Sequence, residues 1–183
     1  MSDRRDFMGK ALGAFAGLGA LGALYAAKRT WDPLPSVKAA GFTTLDLKDY
    51  KEGVLATEMW RGKPIFVMKM TKEMLNKAKA REDSTAKGHK DIERLIKVGN
   101  DYYLVCVGLC THLGCIPTYR SKTEDFLCPC HGGMYNSTAD VIKAPPPRGL
   151  DIPPFKLNGT KIVLGEEGPE YKKMLENGIT QRV

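Results

Sequence analysis

Apolar residues gather into one long run at the start of the chain and into short, separated runs after it. Residues 11–27, ALGAFAGLGALGALYAA, carry no charge. As a helix rising ~1.5 Å per residue they cover about 26 Å, slightly short of a ~30 Å hydrocarbon core. Phe7 and Met8 extend the run, and Lys10 can snorkel to the interface. The pattern predicts a single N-terminal transmembrane helix within residues 1–29. A short apolar run followed by Ala26 and Ala27 also fits a cleaved signal peptide. Retention as an anchor is the expectation, and cleavage stays open. Gly13, Gly17, Gly19 and Gly22 weaken a helix in water, but in a bilayer such small residues permit close helix packing. A membrane partner is therefore expected.

Residues 30–41, TWDPLPSVKAAG, hold two prolines and show no sustained periodicity, so they read as a flexible hinge linker. Short apolar runs follow at 42–47 (FTTLDL), 63–70 (KPIFVMKM), 101–108 (DYYLVCVG), 125–129 (DFLCP) and 160–165 (TKIVLG). Their lengths and the glycine and proline punctuation between them predict strands, and hence a mainly β domain of antiparallel sheets over 42–183. Residues 71–97 are rich in Lys, Glu and Ala, with Met74, Leu75, Ile92, Leu95 and Ile96 at helical spacing. They predict a small helical excursion of one or two short helices around a polar loop near Asp83–Lys90. The tail from Glu166 has room for a helical turn. No internal repeat is visible.

The net charge of +7 raises the question of an anionic partner. Residues 1–29 account for +3 of it, with Arg4, Arg5, Lys10, Lys28 and Arg29 against Asp3 and Asp6. The rest is scattered, with no dense basic tract interleaved with aromatics, so no nucleic-acid partner is expected. Arg4, Arg5 and Phe7, directly ahead of the apolar run, resemble a twin-arginine export signal. Lys28 and Arg29 fall on the exported side against the positive-inside tendency, so orientation rests on that resemblance.

Four of the five cysteines and two of the three histidines lie between 110 and 131, in CTHLGC (110–115) and CPCHGG (128–133). Each block pairs one thiol with one imidazole, Cys110 with His112 and Cys128 with His131, which suits a metal centre taking two sulfur and two nitrogen ligands. Zinc also accepts such a set, but zinc fingers pair cysteine with cysteine and histidine with histidine at short spacing, whereas here each block is mixed. Cys106 sits in an apolar strand pattern and reads as a core residue. His89, in a lysine-rich loop, reads as exposed surface.

The blocks CxH and CxxH, fifteen residues apart, resemble the motif of Rieske [2Fe–2S] proteins. The resemblance extends to RGKP (61–64), DIERLIK (91–97) and APPPRGL (144–150), as in the quinol-oxidising branch found in cytochrome bc1 complexes. It implies one Rieske [2Fe–2S] cluster in a part spanning about 106–150. Cys110 and Cys128 would bind one iron, and His112 and His131 the other. It further implies a disulfide between Cys115 and Cys130, in keeping with an oxidising compartment. Pro145, Pro146 and Pro147 would form a stiff cover that excludes water and raises the potential.

By the same resemblance, a histidine, His131 in preference to His112, contacts a quinol bound in a cytochrome b subunit. The domain then swings on its linker to a c-type cytochrome. The setting implied is a dimeric complex in the bacterial inner (cytoplasmic) membrane, with the cluster domain on the periplasmic side. A second reading keeps the cluster and makes the chain the small subunit of a periplasmic molybdenum arsenite oxidase; the excursion at 71–97 and the anchor with its linker favour the first.

Gly133 and Tyr135 bear on the substrate. High-potential relatives commonly carry Ser at the position of Gly133, donating to a bridging sulfide, and a Tyr two residues later donating to a ligand sulfur. A donor stabilises the more negative reduced cluster, and a hydrogen bond to a charged group contributes ~1.5–3 kcal/mol, so a missing serine lowers the potential by at most roughly 60–130 mV. A lower-potential cluster suits menaquinol over ubiquinol. Alternatively, Gly133 serves a positive φ in the turn after His131.

Overall fold

The computed structural model describes residues 2–81 and 89–182. The chain divides into two compact units, Met1–Ala39 and Ala40–Val183. In the first, α1 (Ser2–Trp31) outruns the uncharged segment at both ends. Asp3 in its first turn and Lys28 and Arg29 in its last suit the helix dipole. The helix is long and apolar enough to cross a membrane. Pro33 disfavours a helical residue before it and closes α1, while Pro35 opens a second short helix, α2 (Pro35–Ala39). Part of the stretch read as linker is thus helical.

The second unit is built on three antiparallel sheets. β1 (Thr43–Asp46), β10 (Phe155–Asn158) and β11 (Lys161–Leu164) form the first, in the order β1-β11-β10. The second has the order β2-β3-β5-β4, from β2 (Ala56–Trp60), β3 (Lys63–Lys69), β4 (Ile96–Val98) and β5 (Asp101–Val107). The third is a meander of β6 (Thr118–Arg120), β7 (Asp125–Leu127), β8 (Met134–Tyr135) and β9 (Val141–Lys143).

The near-continuous apolar runs of β3 and β5 have a direct cause. Ile65, Val67, Tyr103, Val105 and Val107 face a core shared with the first sheet, where they meet Leu45, Phe155, Ile162 and Leu164. The alternate residues Phe66, Met68, Leu104 and Cys106 face a second core toward the third sheet, with Phe126 and Tyr135. These strands are central and buried on both faces, so alternation separates two cores and not core from solvent. Phe66 and Phe126 stack with centroids 5.6 Å apart and join the second sheet to the third.

The excursion begins with α3 (Lys72–Ala80), capped by Thr71, whose hydroxyl accepts from the Met74 N–H at 3.1 Å. A 3₁₀ turn spans Asp91–Arg94. Ile96 belongs to β4, where pairing with Tyr103 overrides its helical spacing. Residues 82–88, most of the expected polar loop, lie outside the described residues. The tail forms α4 (Pro169–Glu176), which packs Tyr171 and Met174 onto the first core.

Candidate metal centre

Two loops carry the cysteines and histidines, one between β5 and β6 and the other between β7 and β8. Each closes on itself through its backbone. Cys110 N–H donates to Cys115 O at 2.7 Å and Gly114 N–H to Cys110 O at 2.8 Å. In the second loop, Cys128 N–H donates to Gly133 O at 2.8 Å and Gly132 N–H to Cys128 O at 3.0 Å. Gly114 and Gly132, at φ 80° and 71°, supply the left-handed residue that each turn needs. The Cys115–Cys130 disulfide ties the loops together, with the Cα atoms 6.6 Å apart.

Inside this frame Cys110 and Cys128 are buried, and the His112 and His131 rings lie edge to face with centroids 4.8 Å apart. His131 is exposed and His112 half-buried. Burial opposes a thiolate at Cys110, but the Tyr135 hydroxyl, donating to Cys110 Sγ at 3.1 Å, and the N–H groups of His112 and Leu113 outweigh it, so the thiol pKa falls. Cys128 moves the other way, through burial and the neighbouring Cys110 sulfur, although the N–H groups of Cys130 and His131 also point at it. Two convergent sulfurs ringed by backbone donors, beside two adjacent imidazoles, fit a cluster with two thiolate and two imidazole ligands. The Cys115, Cys128 and Cys130 sulfurs also lie within 4.8 Å of one another, but two of them are consumed by the disulfide and offer no thiolate.

The Tyr135 hydroxyl also accepts from the Thr111 N–H at 3.1 Å, and the Thr111 hydroxyl donates to Arg148 O at 2.7 Å. Thr111 therefore links the tyrosine to the proline segment, and nothing in its local sequence marks it. Arg94, fully buried, donates to the carbonyls of Thr138 at 3.1 Å, Ile179 at 2.8 Å and Leu150. Its place in the half-apolar DIERLIK segment is the available signal.

Two expectations are corrected. His89 is buried, with Nε2 3.8 Å from an Asp140 oxygen, because it lines a polar cleft of the domain with Arg94, Arg148 and Thr180. The positive φ of the second loop belongs to Gly132 and not to Gly133. Cys106 is fully buried, and burial pushes its thiol up to about 12, as suits an inert core residue.

Residues 45–156 match the family described as Rieske [2Fe-2S] domain. The chain is 37% identical over 165 residues to the ubiquinol-cytochrome c reductase iron-sulfur subunit of Bradyrhizobium diazoefficiens, covering 88% of this chain and 94% of that one. The subunit of the same name from Rhodospirillum rubrum is 34% identical, over 89% and 91% of the two chains. A solved structure of a hyperthermophilic respiratory Complex III contains a chain 36% identical with a TM-score of 0.56, covering 83% of this chain and 96% of that one. One Rieske [2Fe–2S] cluster is the cofactor consistent with this match and with the donor set. The chain belongs to the Rieske iron–sulfur proteins, in the branch of the quinol–cytochrome c reductase subunits.

Proposed function

We propose that Cys110 and Cys128 hold one iron and His112 and His131 the other, and that the chain carries electrons from a quinol to a c-type cytochrome. When bound, the cluster takes up and releases one electron at a time. His131, the more exposed imidazole, accepts a hydrogen bond from the quinol hydroxyl in a cytochrome b pocket and takes its proton at the free ring nitrogen. Tyr135 and the loop N–H groups aimed at Cys110 favour the state with the added negative charge. Residues 1–29 serve as the anchor and twin-arginine signal in a bacterial cytoplasmic membrane, with residues 42–183 on the periplasmic side. Residues 30–41 let that domain travel between partners within a dimeric complex.

The observation that carries this reading is the convergence of the two mixed Cys/His loops, tied by one disulfide and topped by the Tyr135–Cys110 hydrogen bond. Purification from the native membrane should bring down b- and c-type haem with two iron and two acid-labile sulfides per chain. Stoichiometric zinc without iron would end the ligand assignment, and copurification with a molybdenum subunit would move the chain to the arsenite oxidase setting.

The quinol is assigned as menaquinol on the absent hydroxyl at Gly133, although the relatives above are named for ubiquinol. The test is a redox titration of Gly133→Ser against Gly133→Ala. A Cβ at this position meets the Pro146 ring, so both variants share the steric effect and only serine adds a donor. Serine should sit at the higher potential of the two; equal midpoints with intact clusters would remove the basis for menaquinol.

A further inference from the structure

The segment 139–150 is a closed loop held at its neck, its side and its tip. At the neck, Leu150 N–H donates to Ala139 O at 2.8 Å, and Arg94 grips the Thr138 and Leu150 carbonyls on its two sides. A Cβ on Gly149 would stand 2.7 Å from the Arg94 guanidinium carbon, so glycine there makes room for the grip. At the side, Thr111 of the first cysteine loop donates to Arg148 O. At the tip, only Pro146 of the three prolines is buried, while Pro145 and Pro147 are exposed.

Pro146 fills a particular space. A Cβ added to Gly133 would lie 2.5 Å from Pro146 Cδ and 2.6 Å from Cγ, well inside contact distance. Gly133 has no left-handed φ, so its backbone alone would accept any L residue. Nor is the backbone free to retreat, because Gly133 O holds the Cys128 N–H at 2.8 Å and β8 begins at the next residue. What demands glycine at 133 is the proline ring.

We propose that Gly133 is a positioning residue, a seat into which Pro146 closes so that segment 139–150 lies against both cysteine loops and keeps water from the centre between them. This rests on the ligand assignment above and adds to it a steric partnership between two loops. Water exclusion alone disfavours the more negative reduced cluster, so a dry cover lowers the potential and does not raise it as expected from the sequence, whereas the Tyr135 donor raises it; the midpoint potential mixes both effects. The seat is read better by loop opening and by water access.

The experiment compares the full chain in detergent with Gly133→Ala, Pro146→Ala and the double variant. Pro146→Ala removes the two atoms that collide, leaving room for the methyl group that Gly133→Ala introduces. Iron content and the reduced-state electron paramagnetic resonance spectrum first establish that the ligands hold the cluster. In Gly133→Ala, exchange of the Leu150 amide, whose bond to Ala139 O closes the neck, should quicken roughly tenfold, corresponding to ~1.4 kcal/mol of lost seating. Coupling of exchangeable deuterons to the reduced cluster should grow at the same time. The double variant should move both readouts back toward the parent protein. Parental exchange and coupling in Gly133→Ala, or a double variant no closer to the parent than Gly133→Ala, would overturn the seat while leaving the ligand assignment intact. If Gly133→Ala retains no iron, Pro146→Ala carries the test: it empties the seat, and parental deuteron coupling there overturns the proposal.

Discussion

The core between the first two sheets and the end that carries the cysteine loops are stabilised by different means. The core rests on seven-residue strands, β3 and β5, and on fully buried Val67, Val105, Phe155 and Ile162. The other end is a meander whose strands run to two or three residues. Strands that short bury too little apolar area to hold themselves. Their place is fixed by a covalent tie, by Phe126 reaching back to Phe66, and by polar clamps at Arg120–Asp125, Arg148–Asp151 and Arg94. A site that must present polar ligands at a surface obtains its rigidity from directional bonds, while burial elsewhere supplies the foundation.

The largest effect should come from removing a ligand. His131→Ala should lose the cluster and all quinol-dependent activity but keep the far-UV circular dichroism of the sheets; full iron retention would show the ligand misassigned. The reverse break is Phe155→Ala, which empties a fully buried site next to Tyr171 and should cost ~3–5 kcal/mol of global stability. Thermal unfolding measures the loss, and the iron content of the molecules still folded should match the parent. If that variant shed iron before its sheets melted, the two regions would not be separable.

Cys115→Ser opens a bridge across a separation of fifteen residues, worth ~3 kcal/mol on a chain-entropy estimate. The loss should fall on cluster retention, with the sheets still folded. Mass spectrometry finding both thiols reduced in the native protein would end this prediction. The smallest effect concerns acid. The Arg120 hydrogen bonds, opposed in part by burial, hold the Asp125 carboxyl below the usual carboxylate range. A depressed native pKa contributes stability that is complete above the unfolded value of about 3.9 and is lost as pH falls through the native value. Asp125→Asn should therefore flatten the acid limb of the melting curve, and an unchanged acid limb would place the acid sensitivity elsewhere.

Legibility in the sequence follows the same division. β1, β3, β5, β7 and β11 stand out as short apolar runs between glycine and proline breaks, most clearly in β3 and β5, which are buried on both faces. β8 and β9 are too short to show a period, and β2 alternates around polar Thr57 and Glu58, so none of the three is legible. At the site, ligand chemistry is legible because each thiol has its imidazole within three residues. Thr111, Arg94 and the burial of His89 are not, since a charged or polar side chain is read as exposed unless its partners are known, and these partners lie far along the chain.

The disulfide also bears on which metal the site acquires. The Cys115 and Cys130 sulfurs lie within 4.8 Å of Cys128 Sγ, close enough for a soft metal ion to draw on them if they were thiolates. Their bond takes both out of metal chemistry and leaves the Cys128 sulfur beside that of Cys110. The bond that braces the loops thus also acts as an editor of inorganic chemistry: with it closed, an ion that competes for thiolates finds two at this end of the domain, Cys110 and Cys128, and not four.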